Sequence, residues 1–311
     1  MTLNIALTGA SGFCGTSILE KCQNAQHNVF RLQRDPVRDQ EEDVIHFDLS
    51  DVSNLDSDKL KHIDVFIHAA AVAHNKCNDS SEILRLNYEA TKILFNKCLE
   101  AGIKKFIFLS TIGVYGKNSS NHVISIEDSE NPTSVYARSK YNAENYILSH
   151  SNINGINVSL LRLPLVYGAD APGNFGLLSK ISKTSVPLPF AGIKNKRSMI
   201  AVDTVANLVV KICEDVIEAR GIEIAADSIP YSSQELIAGI RSKLGKKKRL
   251  FYVPKSVMKF ALAVVGSSKI YDQLYEDLEF RSTIDLEASG CVDAQTSPAD
   301  YIGRENSNTE N

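Results

Sequence analysis

Residues 3–15 read LNIALTGASGFCG, and this stretch decides the fold of the chain. Residues 3–7 form a short apolar run that predicts a buried strand, and an amphipathic helix is expected after the glycines. A strand, a glycine turn and a helix start form a phosphate-binding loop, because the helix N-terminus offers N–H donors and a positive dipole. Gly9 permits the tight turn, Gly12 lets the backbone approach a pyrophosphate, and Gly15 lets the helix pack on the strand.

Apolar runs alternate with helical patterns through the first half of the chain. Short runs rich in branched and aromatic residues predict buried strands, and their alternation with helices predicts one parallel sheet with right-handed crossovers. The further predicted strands are residues 29–34, 44–47, 63–67, 106–109 and 158–163.

The composition of the chain restricts the classes of protein to which it can belong. The 311 residues carry a net charge of −3, and the only dense basic run, residues 246–249, is interpreted as a solvated loop, so no nucleic-acid partner is expected. The six cysteines lack Cys-x-x-Cys and paired Cys/His spacing, which favours reduced thiols in a cytoplasmic protein and no metal site. Residues 257–265 are too short to span a membrane, and the N-terminus does not resemble a signal peptide.

The stretch 104–140 predicts the chemistry. An apolar strand ends on Ser110 and Thr111, and Tyr136 and Lys140 follow four residues apart, on one face of a helix. An ammonium beside a phenol favours the phenolate, so Lys140 is expected to lower the pKa of Tyr136 toward neutrality. Such a tyrosine can take a proton from a sugar hydroxyl and return it. The strand-end hydroxyl can share that hydrogen bond.

The pattern Tyr-x-x-x-Lys occurs a second time, at Tyr88 and Lys92. No strand ending in hydroxyls lies near this copy. We therefore interpret it as helix surface and packing.

The second and third strands bear on the choice of dinucleotide. An NAD site is typically marked by Asp or Glu at the end of the second strand, whereas this strand carries Arg31 and Arg34. Their forked donors suit a 2′-phosphate and favour NADP, unless one or both arginines are merely solvated. After the third strand, Asp48 and Leu49 are placed to contact the adenine, although Asp48 could equally cap a helix that starts near Val52.

Small residues follow the fourth strand. Ala69, Ala70 and Ala71 would let a flat cofactor lie against the backbone, and plain packing of these alanines is the alternative. A long helix is then expected over residues 80–101, ending at Gly102.

Six motifs occur along the chain in this order: Gly-x-x-Gly-x-x-Gly, Asp-Leu, His-Ala-Ala-Ala, Ser-Thr-x-x-Val-Tyr-Gly, Tyr-x-x-x-Lys and Arg-Leu-Pro-Leu-Val-Tyr-Gly. Together they resemble the extended short-chain dehydrogenase/reductases, and within them the nucleotide-sugar epimerase/dehydratase branch. The resemblance covers residues 1 to about 285. It implies a Rossmann, doubly wound domain at 1–165 and a smaller mixed substrate domain at 166–302, with some segments returning to the first. Residues 303–311 are expected to form a disordered tail.

The resemblance also implies roles for individual residues. It implies that Thr111, Tyr136 and Lys140 are the catalytic residues and that Thr111 also contacts the substrate. Asn174 and Arg197 resemble the family's residues at the substrate diphosphate, with a surface salt bridge as the alternative for Arg197. The implied cofactor contacts are Gly9, Ser11, Gly12, Phe13, Gly15, Arg31, Arg34, Asp48, Leu49, Ala69, Ala70, Ala71, Asn87, Tyr136, Lys140, Pro164 and Val166.

The expected reaction is hydride exchange at C4 of a nucleotide sugar. The family's 4,6-dehydratases carry an Asp-Glu pair after the threonine, whereas this chain has Ile112 and Gly113, which argues against elimination. A UDP-hexose or UDP-N-acetylhexosamine 4-epimerase ranks narrowly before an NADPH-dependent 4-ketoreductase of a UDP- or dTDP-sugar. A non-catalytic NADP-binding sensor is the alternative of another class. By resemblance, a homodimer is expected through helices 80–101 and 133–150.

Overall fold

Seven parallel strands form the central sheet in the computed structural model of the protein. The structure describes residues 1–34, 43–72, 79–169, 171–264, 266–292 and 297–301, without the side chains of 154, 173 and 174. The strands are β1 (Asn4–Thr8), β2 (Asn28–Gln33), β3 (Val44–His46), β4 (Val65–His68), β5 (Lys105–Thr111), β6 (Asn157–Leu163), β7 (Leu165–Tyr167), β8 (Met199–Ala201) and β9 (Gly221–Ile224).

The sheet has the order β3-β2-β1-β4-β5-β6-β9. The chain moves outward from β1 to β3 and then restarts on the other side of β1 at β4. Strand order therefore reverses between β1 and β4, and ligands of open α/β sheets bind at such a point, outside the carboxyl ends of the strands. This order confirms the predicted Rossmann sheet.

Helices cover both faces of the sheet. They are α1 (Phe13–Asn24), α2 (Ser80–Leu84), a π-helical segment (Arg85–Glu89), α3 (Ala90–Glu100), α4 (Val135–Asn154), α5 (Gly173–Ser182), α6 (Val202–Cys213), α7 (Ser233–Lys243), α8 (Lys255–Val264) and α9 (Ser268–Tyr275).

Two apolar cores lie on opposite faces of the sheet, because successive side chains of a strand point to opposite faces. Ile107 and Leu109 of β5 belong to the core beneath α1 and α6. Phe106 and Phe108 of the same strand belong to the core beneath α3 and α4. All four side chains are buried.

Beyond residue 165 the chain both leaves and rejoins the main sheet. β7 and β8 form a separate two-stranded parallel sheet, and α5, α7 and α9 contribute to a third core that contains Phe175, Leu236 and Tyr275. β9 then returns to pair with β6. The division at residue 165 stays a prediction, and the tail expected at 303–311 lies outside the described residues.

The first glycine loop has no room for a side chain at Gly15, where a Cβ atom would lie 1.9 Å from the carbonyl oxygen of Gly9. Gly15→Ala should therefore push α1 away from β1 and lower the free energy of unfolding by about 1–3 kcal/mol. Urea unfolding measures this change. Glu20→Ala on the exposed side of the same helix is the control, and equal stabilities of the two variants would contradict the prediction.

Candidate active site

The loops after β1 and β4 meet at the point where strand order reverses. Gly9 has φ +74°, and the N–H of Gly12 donates to its carbonyl oxygen at 2.9 Å. A Cβ atom on Gly9 would lie 2.7 Å from the backbone nitrogen of Ala70. The two loops can touch because residue 9 is a glycine. The tight turn predicted at Gly9 is therefore present, with Ala69 and Ala70 against it, and the cofactor role of these residues stays a prediction.

The other residues predicted to contact the cofactor near these loops are buried to different degrees. Ser11 is exposed in the loop, and Phe13 begins α1. Phe13 packs against the glycine after β7, since its Cζ lies 3.0 Å from where a Cβ of Gly168 would stand. Pro164 is buried between β6 and β7, and Val166 lies within β7.

Asn87 holds the loop after β4. Its Oδ1 accepts from the N–H of Val72 at 2.8 Å, and its Nδ2 donates to the carbonyl of Val72 at 2.9 Å. Asn87 lies in the π-helical segment Arg85–Glu89, which interrupts the helix expected over 80–101. Such π-bulges are frequent at functional sites. Here the segment turns a buried amide toward the loop that borders the glycine cradle.

Lys140 is a buried residue of α4 that contacts β5. Its Nζ donates to the carbonyl oxygen of Leu109 at 2.9 Å and lies 4.2 Å from the centre of the Phe108 ring. Burial lowers the pKa of Lys140 to about 7, against a smaller opposing effect of Glu144. The amine therefore changes charge near neutral pH.

Tyr136 differs from the expectation. Burial, and secondarily the neighbouring Cys14 side chain, raise the pKa of Tyr136 to about 12. The predicted lowering by Lys140 is wrong for this structure, because the amine of Lys140 is bound to Leu109 and loses its own charge near neutrality. At neutral pH the phenol is protonated.

Thr111 lies beside the first turn of α4. Its Oγ1 accepts from the N–H of Gly113 at 3.0 Å and so begins the short 3-10 helix Ile112–Tyr115. A Cβ atom on Gly113 would lie 3.3 Å from this Oγ1 and 3.4 Å from the Cβ of Ala137. The end of β5 and the residue after Tyr136 are thus neighbours across Gly113. Thr111, Tyr136 and Lys140 all lie where β5 meets α4.

Residues 5–225 match the NAD dependent epimerase/dehydratase family. The chain belongs to this family. It is 28% identical over 306 residues to the UDP-glucose 4-epimerase of Vibrio cholerae, covering 95% of this chain and 92% of the relative. It is 26% identical over 269 residues to the N-acetyl-alpha-D-glucosaminyl-diphospho-ditrans,octacis-undecaprenol 4-epimerase of Escherichia coli O157:H7, covering 86% and 78%.

A solved structure of similar fold is the UDP-glucuronic acid 4-epimerase of Bacillus cereus in complex with NAD. Its TM-score is 0.71 at 20% identity, and the match covers 96% of each chain. This likeness shows the fold. The family match makes the chain an enzyme of the extended short-chain dehydrogenase/reductase type that uses NAD(P).

A buried polar network supports the catalytic segment of this epimerase/dehydratase family member, and the sequence analysis missed it. The Glu144 carboxylate accepts from Ser110 Oγ and from Arg162 Nη2, the latter at 2.8 Å. Arg162 Nη1 donates to the hydroxyl of Tyr115 at 2.8 Å, and its Nη2 lies 2.9 Å from Glu130. Glu144 and Arg162 are both fully buried.

The network joins three elements around the site. Ser110 precedes Thr111 on β5, and Glu144 follows Lys140 by one turn of α4. Arg162 lies on β6 and opens the Arg-Leu-Pro-Leu-Val-Tyr-Gly motif. The helical spacing of Tyr136, Lys140 and Glu144 was the signal in the sequence that could have indicated a third polar residue on this face.

The two arginines of the second strand have different environments. Arg31 Nη2 lies 3.2 and 3.1 Å from the two carboxylate oxygens of Asp43, so its charge is already compensated. Arg34 is exposed. The interpretation that both arginines serve a 2′-phosphate is therefore not supported for Arg31.

Asp48 does not cap a helix. Its Oδ1 accepts from the N–H of Ser50 at 2.8 Å, and this bond holds the pKa of Asp48 below its usual value. The short 3-10 helix Val52–Asn54 begins instead after Asp51. Leu49 is half-buried against the core beneath α3. The adenine role of both residues stays a prediction.

Arg197 binds backbone carbonyls. Its Nη1 donates to Asn118, Asp272 and Glu276 at 3.3, 3.1 and 3.1 Å, which joins the loop after β5 to α9. Burial lowers the pKa of Arg197 to about 10. These contacts replace the surface salt bridge considered as its alternative. Asn174 lies in the first turn of α5, and its side chain is outside the described part.

Two searches of the described residues gave negative findings. None of the described helices is long and apolar enough to cross a membrane. Within the same ranges, no three or more His, Cys, Asp or Glu side chains are grouped so that they could hold a metal ion.

The titration of Lys140 should be measurable as a pH dependence of stability. Its folded pKa, about 7, lies below the ordinary value of 10.5, so between these values the unfolded chain binds a proton that the native chain does not. Wild type should therefore gain about 1–2 kcal/mol relative to Lys140→Met between pH 7 and 9. Urea unfolding at both pH values measures this. Lys92→Met is the control, and parallel profiles of wild type and Lys140→Met would contradict the prediction.

Glu144 and Arg162 form a buried ion pair, and removing one partner should lower the free energy of unfolding more than removing both. Glu144→Leu leaves the Arg162 guanidinium short of a partner and should lower the free energy of unfolding by about 3–5 kcal/mol. The double variant Glu144→Leu, Arg162→Met should be more stable than Glu144→Leu alone. Urea unfolding of wild type, the two single variants and the double variant measures this coupling. If the losses of unfolding free energy in the single variants add up to the loss in the double variant, the pair is not coupled.

Proposed function

We propose that the protein is a nucleotide-sugar 4-epimerase that works through a 4-keto intermediate. The observation that carries the proposal is the junction of β5 and α4. There Thr111 neighbours the first turn of α4, and Lys140 lies one turn below Tyr136. These residues would supply a hydroxyl, a phenol and an amine, which is the set that proton transfer at an alcohol requires.

The cradle fits a dinucleotide. At Gly9 and Gly15 a Cβ atom would collide with backbone atoms, so the glycine turn packs tightly against the loop after β4 and against α1. No side chain caps the N-terminus of α1 at Gly12, so the N–H groups of its first turn would be available to a pyrophosphate. Gly9, Ser11, Gly12 and Phe13 would hold the pyrophosphate. Asn87, through Val72, would fix the loop on the other side. When bound, the nicotinamide supplies hydride exchange with C4 of the sugar.

We propose NAD as the cofactor, in place of the NADP favoured by the sequence alone. The Asp43 carboxylate pairs with Arg31 at the second strand. A negative charge there disfavours a 2′-phosphate, which leaves only Arg34 of the two arginines to attract one. The B. cereus enzyme of similar fold was crystallised with NAD.

The chain's own residues would share the proton transfer. To take the proton from O4 of the sugar, Tyr136 would have to be a phenolate, and the positive charge of an oxidised nicotinamide, when bound, would favour that form by lowering the pKa of Tyr136 from about 12. Tyr136 would take this proton in the first half-reaction and return it in the second, so no net proton is gained or lost. Thr111 Oγ1 shares the hydrogen bond to O4. Lys140 holds the nicotinamide ribose, and Asn174 and Arg197 are the proposed contacts of the diphosphate.

A net 4-ketoreductase is the second candidate. The raised pKa of Tyr136, about 12, keeps the phenol protonated at neutral pH. A protonated phenol is the acid that reduction of a 4-keto sugar needs. The V. cholerae and E. coli relatives are both 4-epimerases by name, which favours a 4-epimerase over a net 4-ketoreductase as the first candidate.

A sugar diphosphate on a polyprenol is a candidate substrate beside the UDP-hexoses, as in the name of the E. coli relative. A cleft of about 540 Å³ lies between the loop after β5 and α9, lined by Lys117, His122, Lys259 and Asp272 among others. Arg197 joins the same loop to α9. The cleft carries charges of both signs, because Glu276 and Asp277 line it as well, and Lys117 and Lys259 are the groups that would meet a diphosphate.

The deciding experiment measures both the reaction and the fate of the cofactor. Purified protein should release NAD on denaturation and should interconvert UDP-glucose and UDP-galactose, or their N-acetyl forms, without net change in reduced nicotinamide. Tyr136→Phe should lower turnover by about 10²- to 10⁴-fold while keeping bound cofactor. Tyr88→Phe, in the second copy of the motif, is the control. Consumption of NADPH only with a 4-keto sugar would identify the reductase, and cofactor binding without either reaction would identify the sensor.

The proposal extends to the assembly and the location of the protein. A homodimer through α3 and α4 rests on resemblance alone, and light scattering of the purified chain tests it. A cytoplasmic location is in keeping with the five described cysteines, none of which forms a disulfide within the described ranges.

A further inference from the structure

α8 carries an apolar stripe that nothing in the described fold covers. Val257, Phe260 and Val264 are 55%, 72% and 70% exposed. With Ala261 they occupy positions i, i+3, i+4 and i+7, the spacing of one helical face. An apolar face at this spacing normally packs against another element. Here all four residues face outward.

The same helix already has its own packing face. Met258 and Leu262 are half-buried and contact the core that contains Tyr271 and Tyr275. The exposed stripe is therefore additional to the face that attaches α8 to the protein. Packing of the domain does not explain it.

The apolar surface continues into the chain before α8. Phe251 and Tyr252 are 46% and 69% exposed. Phe251 donates its N–H to the carbonyl of Leu188 at 3.0 Å, so this segment runs beside residues 186–191. Val186 in that neighbouring segment is 59% exposed. Large apolar side chains thus extend from α8 across two adjoining segments.

Positive charge predominates around this surface, although Lys243 pairs with Asp300, Lys255 pairs with Glu276 and Arg241 is buried. Residues 236–271 contain nine lysines and arginines and no aspartate or glutamate, although the whole chain has a net charge of −3. Lys247 and Lys248 are exposed, and Arg249 Nη1 donates to the carbonyl of Ser185 at 3.1 Å, beside Val186. The nine cations are Arg241, Lys243, Lys246, Lys247, Lys248, Arg249, Lys255, Lys259 and Lys269.

We propose that α8, with Phe251, Tyr252 and the basic segment 246–249, docks on the surface of an anionic membrane. An amphipathic helix with aromatic and branched residues on one face and lysines beside it lies in the plane of a lipid interface. Clustered lysines and arginines add attraction to anionic headgroups. The basic run expected to be a solvated loop gains a role by this proposal.

Charge decides between a membrane and a second copy of the chain. A twofold interface brings the same patch together from both copies, so the basic segments would face one another. Like charges across an interface are unfavourable. An anionic lipid surface complements both the apolar stripe and the cations.

The position of α8 relates docking to the site. Lys259 of α8 lines the cleft between the loop after β5 and α9. A molecule lying on its α8 face would therefore hold this cleft close to the headgroups. The docking itself does not depend on the proposed reaction, since it rests on residues outside the catalytic set.

Vesicle binding of the full-length protein tests the proposal. Phosphatidylcholine vesicles containing phosphatidylglycerol should carry the protein upward in a flotation gradient, and pure phosphatidylcholine vesicles should not. Added salt should weaken the binding, because salt screens charges outside the protein. Phe260→Asp should reduce vesicle binding at least about tenfold, since it places a charge in the apolar face that would enter the lipid.

Matched variants separate the surface from general effects. Ile153→Asp changes an apolar residue that is 81% exposed on α4 and should leave binding intact. Lys247→Glu with Lys248→Glu should abolish binding, whereas Lys59→Glu with Lys104→Glu, at exposed lysines elsewhere, should preserve it. Circular dichroism shows that each variant is folded.

Three outcomes would overturn the proposal. These are failure of wild type to bind anionic vesicles, equal binding by Phe260→Asp and Ile153→Asp, and a smaller mass of Phe260→Asp in light scattering, which would assign the stripe to a second copy. Turnover of a soluble UDP-sugar by Phe260→Asp should equal that of wild type. Loss of vesicle binding with that turnover kept confirms docking separately from the reaction.

Discussion

The contact between the loops after β1 and β4 is the constraint on which the rest of the structure depends. Gly9 adopts a left-handed conformation, and its backbone touches Ala70, while Gly15 brings α1 against the same turn. No side chain fits at either contact. The approach fixes α1 over the sheet and opens the crevice where strand order reverses. Each proposed role of Tyr136 and Thr111 presupposes that crevice.

The catalytic segment is held from below by polar groups that the fold has buried. Lys140 is bound to a strand carbonyl, and one turn further along α4 Glu144 pairs with Arg162. Buried charges of this kind contribute little net stability, because desolvation offsets their attraction. They do require specific geometry. We infer that the network fixes α4 relative to β5 and β6, and with it the position of Tyr136 beside Thr111.

The C-terminal half of the chain combines two surfaces of different character. Arg197 ties α9 to the loop after β5 and so shapes the cleft near the catalytic segment. α8 lies beside that cleft with an apolar stripe and a basic surround. In the proposed docking, α8 would hold this cleft close to the lipid headgroups.

The sequence by itself determined the parallel sheet, the glycine cradle and the residues at the end of β5 and the start of α4. These features follow from local periodicity and from spacings of a few residues, which neighbouring parts of the chain impose directly. The tertiary structure alone decided the partner of Arg31, the carbonyl contacts of Arg197 and the Ser110–Glu144–Arg162 network. It also reversed the expected pKa shift of Tyr136. Each depends on how deeply a group is buried and on which distant residue comes to face it, and neither quantity is encoded in local spacing.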